Sequence, residues 1–289
     1  MKNITILILL NTIFSFNSFA ARDFSDVEIT TTKVAGNVYM LQGAGGNIGV
    51  LATPEGLLLV DDQFAPLASK IEQAMEAIDP APLKYIVNTH YHGDHTGSNA
   101  HFAKHAPIFA HSNVRKRVAE DNKKQGSDLP VVTYEDGVTI HLADETITLT
   151  HMPMGHTDGD SVVYFKKSNV LHTGDLYFQG RFPYIDLKAG GTVKGYLANV
   201  KNMVKQFPSN VQIIPGHGEL SNMDGLKQFV AMLEYSVAHV ETALQKGASK
   251  DEIIAAGIGD KYKAWAWQFI NEERWLTTLV DDLSNKLHQ

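Results

Sequence analysis

At 289 residues, with 44 % hydrophobic and 20 % charged side chains, the chain has an ordinary globular balance that excludes wholesale disorder and collagen-like repeats. A formal charge of −7, from 25 basic and 32 acidic residues without a block of one sign, argues against nucleic-acid binding through a basic face. With no cysteine, disulfides, thiolate zinc sites and cysteine nucleophiles are excluded, and 13 histidines are the one compositional surplus.

Residues 1–20 carry one charge, Lys2, then an apolar run over 4–10, and close on Ser18-Phe19-Ala20. This is the pattern of a secretory signal peptide cleaved near Ala20, with a buried N-terminal strand as the alternative. Later runs fall short of eighteen apolar residues, so no membrane contact is expected after cleavage. An exported chain without cysteine suits a periplasmic or secreted location.

Strand patterns follow at 37–42, 46–52 and 57–60, then a helical period over 65–78 stopped by Pro80 and Pro82. A short buried strand at 85–87 runs straight into Asn88-Thr89-His90, and another at 107–110 precedes a charged helix over 112–122. Residues 123–130 read as an exposed polar loop. Hairpins are expected around Ala143-Asp144 and over 166–168, then a helix at 192–207 and a strand at 211–214 ending in Pro215-Gly216-His217-Gly218. Beyond that the pattern is wholly helical, with Leu226, Phe229, Val230, Leu233, Val237, Val240 and Leu244 on one face. Ser249 and Glu252 read as a capping box.

The chemistry concentrates in Thr89-His90-Tyr91-His92-Gly93-Asp94-His95. In an extended segment His90 and His92 point the same way, so both imidazoles can reach one cation. Gly93 lets the chain turn Asp94 and His95 towards a neighbouring position. Imidazole and carboxylate without thiolate suit zinc, with iron or manganese as alternatives. Downstream, Gly155-His156, Gly174-Asp175 and Gly216-His217-Gly218 each place a polar group beside glycine where a strand ends. A surface histidine cluster and ordinary strand-end turns are the competing explanations, and the recurrence of partners in this order weighs against them.

This series, His-x-His-x-Asp-His, a glycine-flanked His, Gly-Asp after a hairpin and then Gly-His-Gly, resembles the metallo-β-lactamase superfamily over about residues 34–220. The resemblance implies an α/β fold, an αββα four-layer sandwich, with a catalytic domain over 21–222 and a helical C-terminal extension over 223–289. It implies two zinc ions per chain, one held by His90, His92 and His156, the other by Asp94, His95 and His217, with Asp175 bridging. Asp61 matches a carboxylate that braces the metal loops from behind, with a strand-end turn residue as the alternative. The implied reaction is attack on a carbonyl or phosphoryl centre by a hydroxide shared between the cations and aimed by Asp94. No G-x-S-x-G elbow competes for that role.

The resemblance leaves several substrates open. Export favours a β-lactam amide, and hence antibiotic breakdown, but the residue three after Asp175 is Phe178 rather than the drug-gripping lysine of the thiol-containing subclasses; Arg181 or Lys188 would have to substitute. A glyoxalase-II-like thioesterase or a lactonase shares the ligand set, although the tail shows no cationic glutathione cluster. Exported hydrolases with a glycine-rich early loop, here Gly43-Ala44-Gly45-Gly46-Asn47, and a helical tail are the most similar group. A phosphodiesterase is disfavoured. A one-iron dioxygenase or a metal-binding module is the non-hydrolytic alternative. Asn47, Tyr91, Tyr177, Arg181 and Tyr184 are the substrate-contact candidates, the aromatic ones being equally explicable as core. The implied partner is a small-molecule substrate, with no nucleic acid, and oligomeric state is left open. His101, His105, His111, His141, His239 and His288 read as surface or helix-face residues, while His151 and His172 lie close enough to the ligand loops to support them. Trp265, Trp267 and Trp275 in the tail are expected to pack on outer helices, with a roof over the site or a dimer contact as alternatives.

Overall fold

The computed structural model describes residues 23–120 and 126–284, so the signal-peptide reading and His288 lie outside the described residues. The first sheet begins with neighbouring antiparallel strands β1 (Thr30–Ala35), β2 (Val38–Gln42), β3 (Ile48–Thr53) and β4 (Gly56–Val60). Helix α1 (Ala68–Ile78) carries the chain over to β5 (Leu83–Val87), parallel to β4. Two short helices, α2 (Gly93–Thr96) and α3 (Asn99–Phe102), lead to β6 (Ile108–His111), and α4 (Ser112–Glu120) precedes β7 (Val132–Tyr134). Both of these strands continue the parallel half of the sheet.

The second sheet is a meander of β8 (Gly137–Leu142), β9 (Glu145–His151), β10 (Ser161–Phe165) and β11 (Val170–His172). The crossover helix α5 (Val193–Gln206) then adds β12 (Gln212–Ile214) parallel to β11, and β13 (Ser221–Asn222) closes the edge. The tail is helical: α6 (Met223–Gln245), α7 (Lys250–Ala256), α8 (Asp260–Lys263) and α9 (Glu272–Ser284). Ser249 and Glu252 cap α7 reciprocally. Among the described residues no helix is long and apolar enough to cross a membrane.

Side-chain alternation along the strands makes the layers. Leu58 and Val60 of β4 point inward against Val163 and Phe165 of β10, in a core shared by the two sheets. Leu57 and Leu59 point the other way, onto Ile71 and Met75 of α1. On the far side Val162 and Ile213 meet α5, α6 and α9 through Val200, Phe229 and Trp275. The order is therefore helix, sheet, sheet, helix, and the C-terminal helices share one apolar core with the second sheet.

The strand patterns overlook β1, whose sequence Thr-Thr-Thr-Lys-Val-Ala carries almost no apolar alternation and lies at the sheet edge, and the three-residue β7. His111 is a correction: it closes β6 and is buried rather than on the surface, its ring stacked 3.7 Å from that of His151.

Candidate metal centre

Strands end at one rim of the sandwich, and each carries a donor just past its last apolar residue. β4 gives way to Asp61, β5 to Thr89 and His90, β11 to Asp175, and β12 to His217. Two groups of donor atoms result, within 4.8 Å of one another in each: His90, His92, His156 and Asp175, then Asp94, His95 and His217. Asp175 faces both. Its Oδ2 lies 3.8 Å from His90 Nε2 and 3.5 Å from His156 Nε2, while its Oδ1 lies 3.0 Å from His95 Nε2 and 3.3 Å from His217 Nε2.

The imidazoles are aimed from behind. His95 Nδ1 donates to Asp61 Oδ2 at 2.7 Å, and the same carboxylate accepts the Thr89 amide and hydroxyl at 2.8 and 2.7 Å. Thr89 Oγ1 in turn accepts a hydrogen bond from His90 Nδ1 at 3.0 Å. His156 Nδ1 donates to the Tyr184 carbonyl at 2.7 Å. His92 is held through Nε2 by Asp186 Oδ2 at 3.1 Å, which leaves its Nδ1 2.8 Å from His156 Nε2. Four rings thus have one nitrogen fixed and the other turned to the centre, the arrangement that outer partners impose on metal-binding histidines.

Charge agrees with geometry. Burial pulls His90 well below an ordinary histidine and His156 down to about 4, so both are neutral donors. Burial opposes the charged form of Asp175, yet His217 and His95 outweigh it and hold the carboxyl well below its usual range. The same opposition ends with Asp94 at about 2, where burial yields to His95 and a hydrogen bond from His217. Burial also works against charge on His217, but Asp175 and Asp94 carry it up to about 9. Ionised carboxylates among buried imidazoles call for added positive charge. His90 Nε2 is buried with no hydrogen-bond partner, a cost of about 1–3 kcal/mol that a cation would remove, and His95 Nε2 and Asp175 Oδ1 are buried with only a poorly aligned contact between them. Ligands about 2.0–2.1 Å from a tetrahedral zinc stand about 3.4 Å apart, close to the separations across both groups.

The remaining site residues are placed as follows. Asp61 touches no substrate space; it is fully buried, with a positive φ of 61° that its bonds to Thr89 and His95 hold in place. Asn47 is buried, its side-chain amide donating to the carbonyls of Pro215 and Gly218 at 2.9 and 2.8 Å, so it ties loops together instead of facing a ligand. Tyr177 is likewise core: its ring lies 5.1 Å from that of Phe229 and its hydroxyl meets Ser221 Oγ. Tyr91 spends its hydroxyl on Asp186. Arg181 and Tyr184 line a cleft of about 810 Å³ over the donor groups, together with the glycine-rich loop, Phe64 and Trp267. His172 supports that loop by donating to the Asn47 carbonyl at 3.1 Å. His101 and His105 are turned to Glu72 of α1, at 3.0 and 3.7 Å. Asp186 is the residue missed: no local pattern marks it, because its partner His92 stands 94 positions away.

The sequence pattern of the metallo-beta-lactamase superfamily matches residues 36–217. The chain belongs to the metallo-beta-lactamase superfamily. Members of this superfamily are typically hydrolases, and residues 218–284 lie beyond the matched stretch. Among curated relatives, the metallo-beta-lactamase type 2 of Bacillus sp. (strain 170) is 25 % identical over 174 residues, 60 % of this chain and 66 % of that one. The hydroxyacylglutathione hydrolase of Prochlorococcus marinus (strain MIT 9312) is 26 % identical over 180 residues, 56 % of this chain and 67 % of its own length. Among solved structures, a metallo-beta-lactamase from Pontibacter korlensis shares the fold with a TM-score of 0.63 at 20 % identity, over 72 % of this chain and 99 % of that one. As a metallo-beta-lactamase superfamily chain, it carries a potential metal site at His90, His92, His156 and Asp175.

Proposed function

We propose that the chain is a periplasmic dinuclear zinc hydrolase that cleaves an amide or ester-type carbonyl bond, with β-lactams as one candidate substrate class. The observation that carries this reading is Asp175, whose two oxygens are divided between the two donor groups. His90, His92 and His156 would hold a first ion, and Asp94, His95 and His217 a second, with Asp175 within reach of both groups. Zinc bound there supplies Lewis acidity and lowers the pKa of water towards neutrality. Asp94 is the one acid of the set with a side chain 25 % exposed to the cleft, and it remains a carboxylate above about pH 2. Its remaining lone pairs would accept a hydrogen bond from an attacking water and aim it at the carbonyl. His217 lies in the cleft wall, its ring stacked 5.0 Å from Phe178, which limits water on that side. The periplasmic assignment rests on the charged, apolar and small-residue succession of residues 1–20. Relatives named as a hydroxyacylglutathione hydrolase and an acyl-coenzyme A thioesterase favour a thioester as the second reading.

The test is metal analysis with a hydrolysis panel of nitrocefin, a carbapenem, a thioester, an acyl lactone and a phosphodiester. We expect about two zinc per chain, chelator-sensitive turnover of a carbonyl substrate, and a loss of about 10²–10⁴-fold in Asp94→Asn with His92→Ala at least as impaired. One iron per chain, or full activity in both variants, overturns the proposal.

A further inference from the structure

Residues 264–270, between α8 and α9, reach the cleft over the metal centre and are stitched to its floor. The Phe182 amide donates to the Trp265 carbonyl at 2.9 Å, and the Trp267 indole N–H donates back to the Phe182 carbonyl at 2.9 Å. Arg274 Nη1 donates to the Phe269 carbonyl at 2.9 Å and sets its guanidinium 4.2 Å from the centre of that ring. Trp265 turns to the core, stacked on Phe229 at 6.3 Å. Trp267 turns to the site, its ring 6.2 Å from His217 and 6.3 Å from Phe178. Phe269 stands 5.6 Å from both Trp267 and Tyr184 and remains 48 % exposed at the rim. Phe64 faces them across the cleft from beside the glycine-rich loop. Two cations accompany this wall: Arg274 lies against Phe269, and Arg181, half-buried, lies 5.1 Å over the Trp267 ring. Arg181 lines the cleft and makes no ion pair among the described residues, although the Glu219 carboxylate acts on it from a distance.

An aromatic wall with a cation on it, lining the cleft beside the donor groups, offers a face that an apolar ring or chain can cover. We propose that Trp267 and Phe269 of the C-terminal extension, with Arg181, bind an apolar aryl or acyl group of an anionic substrate and so position its carbonyl at the metal centre. The proposal rests on the hydrolase reading for what happens to that carbonyl, not for the binding itself. It makes the tail, which lies outside the family match, the part of the chain that selects the substrate.

Equilibrium titration calorimetry with 4-phenylbutyrate, butyrate and 4-phenyl-1-butanol on the metal-loaded protein tests it without turnover. We expect phenylbutyrate to bind at least about tenfold more tightly than butyrate. Phe269→Ala, at an exposed position, and Trp267→Ala should each erase most of that preference, and Trp267→Phe should restore part of it. Arg181→Gln should narrow the gap between phenylbutyrate and the neutral alcohol by more than the metal ions can account for, since it leaves them in place. Equal binding of phenylbutyrate and butyrate, or a preference untouched by either aromatic variant, overturns the proposal. Binding that follows Trp267 and Phe269 while nothing in the hydrolysis panel is turned over supports the wall and sinks the hydrolase reading instead.

Discussion

A methyl group at Gly46 would overlap the imidazole of His95, and neither partner has room to withdraw. The ring is fully buried and anchored through Nδ1 to Asp61, while the Gly46 carbonyl accepts from Gln63 Nε2 at 2.6 Å and its amide donates to the Asp94 carbonyl at 3.2 Å. The glycine is thus needed for close approach of backbone to ring, not for an unusual φ. Gly46→Ala should cost about 1–3 kcal/mol of stability by overpacking and displace His95 Nε2 from the second donor group. The expected readout is a folded protein that retains about one metal ion per chain fewer than the parent after dialysis; an unchanged metal content would show that the ring can yield. The sequence marks Gly46 only as one of several small residues in a loop. What singles it out is His95, half a sheet away in the chain, and the same holds for Asp186 behind His92. The histidines themselves are legible because four donors crowd into six positions after an apolar strand; their braces are scattered, and only the fold assembles them.

At the level of strands and helices, the legible parts are those whose burial differs between faces. β4, β5 and β12 are short apolar runs that break abruptly into Asp61, Thr89-His90 and Pro215-Gly216-His217, so strand and site announce each other. β1 and β7 bury little and leave no periodic trace. Trp265 and Trp267 resist a helical reading for a physical reason: they lie in the connection between α8 and α9, one ring in the core and one in the cleft. α9 makes a sharper case. Trp275 is fully buried, stacked 5.8 Å from Phe182, and its indole N–H donates to Ser236 Oγ at 3.1 Å. Trp275→Ala should destabilise the protein by about 3–5 kcal/mol in urea unfolding, whereas Trp275→Phe, which keeps the stack, should lose only about 1 kcal/mol with the hydrogen bond. A single transition at a lower midpoint in Trp275→Ala would show that the tail and the sandwich unfold together. An early separate transition would show the tail to be an independent unit.

Across the whole molecule, the two donor groups straddle the seam of the sandwich. His90, His92 and His95 follow β5 of the first sheet, His156 lies between β9 and β10 of the second, and Asp175 and His217 follow β11 and β12. Cations held there would cross-link the layers at one rim and neutralise carboxylates in a chain already at −7. The metal-free protein must instead keep His90 Nε2 buried without a hydrogen-bond partner, and leave His95 Nε2 and Asp175 Oδ1 to each other. Binding to the folded state alone stabilises by about 4 kcal/mol when free zinc stands a thousandfold above its Kd. For 289 residues that corresponds to about 7 °C in Tm. Dialysis against a chelator should therefore lower the melting temperature by about that amount and added zinc should restore it. His90→Ala should melt near the chelated parent, with at most a reduced response to zinc through the second donor group. Equal melting temperatures with and without chelator would mean that metal binding adds nothing to the stability of this rim.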